Sequence, residues 1–280
     1  LQNTYDGFVR NGANLDDKQK ERFREIAAQM SILTLNFSQN NLKETNAFEL
    51  HLEDNQLDGL PESALEAYAQ NARERGKEGH IVTLHAPSFG PFRKYSTHRD
   101  LRQQLYMAYN TQCTGANEHN NEDIVRQLVN LRQEGAQLLG FDTVADLVLT
   151  RRMAENSGHI YRLLDQLFDA YAPAARLEVS EVEALAKEME GEDFQLMPWD
   201  WAYYSDKLKM KKFDLDDEAL RPYFELGKVI EGVFGLATRL YGITFAKNEN
   251  VSTYHENVSA YDVFDKDGNF LAVLYTDFHP

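Results

Sequence analysis

PWDWAYYSDKLKMKKFDLDDEALRPYFELGKVIEGVFGLATRLYGITF, residues Pro198 to Phe245, carries both tryptophans of the chain in its first turn and an apolar helix pattern in its second half. Leu226, Ile230, Phe234, Ala237 and Leu240 recur at steps of three and four, which lines one face of a helix, and Gly242 follows where a left-handed cap would end it. Pro222 suits the first turn of that helix. Trp199, Trp201, Tyr203 and Tyr204 fall within seven residues. Such aromatic density buries much area and asks for a partner at each polar tip, so a core anchor is favoured over a ligand-facing patch.

Upstream the same periodicity dominates. Phe23, Ile26, Ala27, Met30, Leu33, Thr34 and Phe37 place an apolar stripe on a helix over Asp16 to Asn40, read as a core helix. Pro61 opens a helix through Leu65, Tyr68, Ala69 and Ala72 that stops at Gly76 and Gly79. A Pro/Gly loop is expected at Ser88 to Phe92, then a helix through Leu101, Leu105, Tyr109 and Cys113. Asn121, Asp142 and Ser157 open further helices, and Pro173 predicts a kink or restart in the last. Period two appears near 47–52, 80–86, 261–264 and 270–275, the last two flanking an Asp267-Gly268 hairpin step. The expected fold is mainly α, multi-helical, with small β elements, and no repeat or linker marks an independent domain boundary within 1–280.

The chain has 280 residues, 42% of them hydrophobic, enough to bury a core. Its 29 Lys and Arg against 45 Asp and Glu give a formal charge of −16. Nucleic acid and anionic membrane are therefore poor partners. The run Phe270 to Tyr275 is the longest apolar stretch, far below the roughly 20 residues of a membrane span. The lone Cys113 excludes an internal disulfide and a cysteine zinc ribbon, and fits a reducing compartment, cytoplasmic rather than periplasmic. The end at Tyr275-Thr-Asp-Phe-His-Pro280 leaves a strand without turn or cap and suggests a piece of a longer chain, whose compartment and oligomeric state are not legible.

The eight histidines are His51, His80, His85, His98, His119, His159, His255 and His279, and none lies three or four residues from another. Two imidazoles on one helix face need that spacing to share zinc. His80 and His85 are five apart in a strand pattern, which sends them to opposite faces. His255-Glu256 begins an HExxH, but its fifth position is Ser259, so a loop histidine is the better reading. Asp265-Lys-Asp267-Gly268-Asn269 lacks the glycine and glutamate positions of a calcium loop and reads as a turn. Cys113 reads as buried and structural rather than nucleophilic. Pairs such as Asp216/Asp217 and Glu181/Glu183 read as solvated surface. No GxSxG, P-loop or GxGxxG occurs.

The stretch Pro198 to Phe245 resembles the zinc oligopeptidases of the thimet oligopeptidase, oligopeptidase A and peptidyl-dipeptidase family. TYDGFVRNGA (Thr4 to Ala13), LHAPSF (Leu84 to Phe89), LRQEGAQLLGFDTVADLVLTRRMA (Leu131 to Ala154) and DVFDKDGNFLAVLYTDFHP (Asp262 to Pro280) agree with it in order. The PYFEL run (Pro222 to Leu226) is similar to the bacterial peptidyl-dipeptidase branch, which implies release of C-terminal dipeptides from short peptides.

The resemblance further implies a helical ellipsoid with a deep cleft, of which these residues form an internal part of one larger domain. It also implies a zinc cofactor in the parent enzyme, held through an HExxH helix and a later glutamate. This chain contains neither, so no catalytic or metal-ligating residue carries over, no zinc is expected on it and it is expected to hydrolyse nothing. Phe270, Leu271, Ala272 and Val273 are the candidate cleft-lining residues, because their strand ends with backbone groups free to pair with another strand or a bound peptide. The rival reading is an acidic helical scaffold that binds peptides or proteins without metal.

Overall fold

A computed structural model describes residues 1–278; His279 and Pro280, the last residues of the final resemblance block, lie outside the described residues. The chain divides into two compact units, residues 1–208 and 209–280. Along the first run α1 (Gln2–Arg10), α2 (Asp17–Ala47), β1 (Leu50–Leu52), α3 (Glu62–Glu74), β2 (His80–Val82), α4 (Ala86–Tyr95), α5 (Arg99–Asn110), α6 (Glu122–Leu138), α7 (Val144–Leu149) and α8 (Ser157–Glu190). The division falls within α9 (Trp201–Phe213), and α10 (Asp217–Leu220), α11 (Leu226–Tyr241), β3 (Thr244–Lys247), β4 (Ser259–Phe264) and β5 (Phe270–Thr276) follow. The fold is mainly α with small antiparallel sheets.

In the first unit, β1 and β2 pair antiparallel with Leu50 opposite Val82 and Leu52 opposite His80. Leu50 and Leu52 face inward with His51 outward, as alternation requires. This ribbon, α3, α4 and α5 enclose a core in which Tyr68, Val82, Phe92 and Leu105 are inaccessible to solvent. Each such side chain contributes about 1.5–3 kcal/mol through removal of apolar area from water. The polar tips are matched. Tyr68 Oη donates to Ser88 O (3.0 Å), Thr83 N donates to Ser88 Oγ (2.9 Å), and Asn71 Nδ2 donates to Ile81 O (3.0 Å). α2 opens with a capping box in which Gln19 N donates to Asp16 Oδ1 (2.8 Å) and Asp16 N to Gln19 Oε1 (3.2 Å). It packs on α6, where Arg22 holds Glu134 through two hydrogen bonds of 2.6 and 2.8 Å.

In the second unit the strand order is β3-β4-β5. Phe234 of α11 stacks on Phe245 of β3 with centroids 4.1 Å apart and meets Tyr261 of β4 edge-on at 5.0 Å. Glu225 caps α11, accepting from Gly227 N (3.0 Å) and Lys228 N (3.1 Å), and Gly242 ends it at φ 71°.

Several sequence expectations need correction. The strands expected near 47–52 and 80–86 shorten to Leu50–Leu52 and His80–Val82, because Ala47 ends α2 and Ala86 begins α4. Those expected at 261–264 and 270–275 extend to Ser259–Phe264 and Phe270–Thr276, and β3 has no counterpart in the period-two pattern. Ser88 to Phe92 is helical rather than looped. Pro87 occupies the helix start, where a missing N–H is harmless, and burial of Phe89 and Phe92 offsets the interior Pro91.

Pro173 does not restart α8, and the Asp169 carbonyl it leaves unbonded belongs to an exposed residue that water can reach. Pro222 sits in a short 3₁₀ turn ahead of α11, not in its first turn. The stripe of α2 buries only Ile26, and α11 buries none of its residues, so the described residues leave these faces largely uncovered.

Gly59 tests the rigidity of the first core. Its φ is +82°, and a Cβ there would collide with the Tyr95 carbonyl oxygen. Gly59→Ala lowers stability by about 2 kcal/mol or more through a strained backbone and that contact. Gly76→Ala, also at positive φ but with open space around it, costs roughly 1 kcal/mol. Urea denaturation of both variants checks this, and equal losses would show that the Tyr95 segment yields.

Candidate functional site

The predicted cleft residues lie at the tip and edge of the β4–β5 hairpin. Its turn is built by Asp265, whose carboxylate accepts from Asp267 N (2.9 Å), Asn269 N (2.8 Å) and Asn269 Nδ2 (2.9 Å), while Gly268 takes φ 82°. These donors, led by the Asn269 side chain, hold the Asp265 carboxyl below its ordinary value. The calcium-like run is thus a turn closed on itself.

β5 pairs with β4 on one side and has no described strand on the other. The register sets Phe270 opposite Phe264, Ala272 opposite Val263 and Val273 opposite Asp262, which passes over Leu271 at a bulge. Residues directly opposite share a face. Phe245 of β3 is opposite Val263, so Ala272 lies on the α11 side of the sheet, and Phe270 and Val273 on the other. Phe270 and Leu271 are more than half exposed and Val273 is half-buried. The four predicted residues share an edge but not one face. The bulge could not be read from spacing, since a register shift depends on both strands.

The aromatic run at Pro198 serves a different purpose. Asp200 has no exposed surface and Arg102 is 1% exposed. Arg99 Nε donates to both Asp200 oxygens at 3.1 Å, Arg99 Nη2 to Oδ2 at 2.8 Å, Arg102 Nη2 to Oδ1 at 3.0 Å and Met197 N to Oδ2 at 3.0 Å. The guanidinium of Arg102 lies 4.4 Å from the Tyr203 ring centre and that of Arg99 4.5 Å from the Phe194 ring centre. Tyr204 Oη donates to Glu190 Oε1 (3.0 Å), and burial first, then Glu190, raises its pKa. Trp199 meets Tyr106 edge-on at 6.2 Å. Asp200, Tyr203 and Tyr204 make the segment a core anchor in part, whereas Trp199 is half-buried with its Nε1 lacking a hydrogen-bond partner and Trp201 is exposed.

Cys113 is buried, but beyond the end of α5 and at φ 57° rather than on the expected helix. Glu44 Oε2 accepts from its N–H at 2.6 Å, and burial, with the Glu44 carboxylate beside it, pushes the thiol up to about 11. The thiolate is therefore scarce at neutral pH, which suits a structural cysteine. His255 stands in a turn, its Nδ1 accepting from Asn257 N (3.2 Å). Among the described residues no three or more His, Cys, Asp or Glu side chains are grouped to hold a metal ion; His279 lies outside them. A feature that spacing does not reveal is an apolar cavity of about 390 Å³ among α1, α2, α6 and α7, whose walls come from four separate elements.

Comparison with known proteins places these elements in a family context. The profile of Peptidase family M3 matches residues 92–280. The chain is 34% identical over 284 residues to oligopeptidase A of Haemophilus influenzae, with 100% of this chain and 42% of that protein covered. It is 31% identical over 278 residues to dipeptidyl carboxypeptidase of Escherichia coli, covering 97% of this chain and 40% of the relative. With saccharolysin of Saccharomyces cerevisiae it shares 28% over 294 residues, 100% and 40% being covered. The chain thus spans less than half the length of the curated relatives it matches.

Because removal of Asp200 leaves two guanidiniums facing a buried site without their counter-charge, Asp200→Ala is expected to destabilise the chain by about 3–5 kcal/mol. Glu183→Ala, which breaks the exposed Lys187–Glu183 pair, changes stability by less than about 1 kcal/mol. The midpoints of chemical denaturation measure both, and comparable losses would contradict a special role for the buried ion group.

Proposed function

This chain belongs to peptidase family M3, and on that premise we propose that it is a segment of a zinc-dependent peptidyl-dipeptidase that hydrolyses short peptides and releases C-terminal dipeptides. The observation that carries the reading is the family match over residues 92–280, together with a relative named dipeptidyl carboxypeptidase aligned along nearly the whole chain. The PYFEL run, Pro222 to Leu226, supports the dipeptide-releasing branch. A second reading, cleavage within oligopeptides, is favoured by the higher identity to oligopeptidase A.

The described residues do not fit zinc, since no donor group is assembled among them, and none of them is assigned a part in the hydrolytic step. What these residues contribute is a frame and an edge. β5 offers an apolar, half-open strand, and an extended peptide can add to such an edge through main-chain hydrogen bonds while alternate side chains select neighbours. Phe270, Leu271, Ala272 and Val273 are the proposed contacts on the cleft side. The acidic scaffold without metal draws only on charge and helicity, and the family assignment makes it the weaker reading.

A protein of the relatives' length that includes these residues is expected to release dipeptides from a peptide with a free C-terminus, to lose that activity with chelator, and to spare the C-terminally amidated peptide. Mass spectrometry of the products decides. Internal cleavage of both peptides supports the oligopeptidase reading, and absence of hydrolysis overturns both. The 280-residue chain alone is expected to show neither hydrolysis nor a stoichiometric tight zinc site by calorimetry; chelator-sensitive cleavage by it would overturn the assignment of the frame role.

A further inference from the structure

Adjacent antiparallel strands need a connection of only about two to five residues, yet the eleven residues 248–258 link β3 to β4 within the second unit. The excess length reaches β5. Tyr254 Oη donates to Asp277 Oδ2 (2.6 Å), one residue past that strand, and Tyr275 Oη donates to Ser252 O (3.4 Å).

The roots of the connection are firm. Asn248 N donates to Ala260 O (2.9 Å) and Asn248 Nδ2 to Asp262 Oδ2 (2.9 Å), while Val258 is buried. Its middle is open to solvent, with Ser252 and residues 254–257 exposed and Tyr254 itself 74% exposed. The face it crosses follows from the register. Tyr261 meets Phe234 of α11 and stands opposite Leu274, so the neighbouring pair Ala260 and Tyr275 points away from α11. Phe270 and Val273 share that face.

The end of β5 needs a tie of this kind. Tyr275 and Thr276 pair with Ala260 and Ser259 on one side and have no described strand on the other, and a strand end with a single neighbour frays. An exposed hydrogen bond competes with water, so such a tie opens and closes readily. The charged acceptor favours the closed form, and the same hydrogen bond to Asp277 holds the Tyr254 hydroxyl above its ordinary pKa. We infer that residues 248–258 are a strap whose Tyr254–Asp277 latch switches the C-terminal end of the free β5 edge between a formed and a frayed state. With the latch closed, the strand offers its main-chain groups from Phe270 to Thr276; with it open, only the part near the hairpin turn remains. Tyr254 is thus a positioning residue that acts through β5. Its bearing on function rests on the reading of that edge as the place where an extended peptide adds; the latch itself does not.

The test is amide hydrogen exchange of the 280-residue chain, followed residue by residue by NMR with no peptide present. Tyr254→Phe keeps the ring and removes the donor, and exchange at Tyr275 and Thr276 is expected to quicken at least about tenfold while Phe245 to Lys247 of β3 are unchanged. Tyr275→Phe, which removes the second tie, is expected to act on the same end of β5. Tyr241→Phe, on α11 and equally exposed, leaves exchange unchanged. Unaltered exchange at Tyr275 and Thr276 in Tyr254→Phe would overturn the latch. Equal acceleration across β3, β4 and β5 would overturn it too, since that marks an ordinary support of the whole unit. Neither peptide nor hydrolysis enters this readout, so absence of cleavage by the longer protein counts against the proposed activity alone, and unchanged exchange in the variant counts against the latch alone.

Discussion

Asp200 is a carboxylate with no solvent contact, and a buried charge of this kind persists only when it is neutralised and hydrogen-bonded. Arg99 and Arg102 meet that requirement from the first turn of α5, and Met197 N adds a backbone donor. Arg102 also donates to Ser96 O at 2.8 Å, so the same group fixes the junction of α4 and α5. One ion cluster thereby ties the end of the first core to the connection between α8 and α9. The aromatic residues on either side complete the seal, with Phe194 and Tyr203 lying against the two guanidiniums.

That dependence explains which parts of the fold were legible. Local chemistry announces itself. Gly242 closes α11 where the apolar pattern ends, and the Asp267-Gly268 step turns the β4–β5 hairpin. The partners of Asp200 lie 98 and 101 residues away in the chain, and no spacing rule connects them. The composition of the tryptophan-rich run favours a core anchor, but does not show the ions at its centre. Pro87 and Pro91 suggest a loop where α4 forms, because local propensity is overridden by burial of Phe89 and Phe92. Periodicity marks α2 and α11 as amphipathic, yet it cannot say what covers a face. Leu236 and Leu240 are exposed on α11, although their spacing resembles that of a core helix.

The candidate site was legible to the same limited degree. Composition and alternation located the strand at Phe270 to Tyr275, and the structure makes it an edge. The bulge at Leu271, which sends Phe270 and Ala272 to opposite faces, follows from pairing with β4. The cavity among α1, α2, α6 and α7 was invisible because its walls converge from four separate elements. The chain matches less than half of its relatives' length, and the metal chemistry proposed for the whole protein requires donors that the described residues do not group.

The most direct measurement of whether the buried ion cluster holds this frame together is native-state hydrogen exchange over Ser96 to Leu105 and Phe194 to Tyr204, in the unaltered chain and in Asp200→Asn. If the cluster ties the two segments, their slowest amides open with a common free energy and lose protection together in the variant. Loss of protection in one segment while the other keeps its own would contradict that tie.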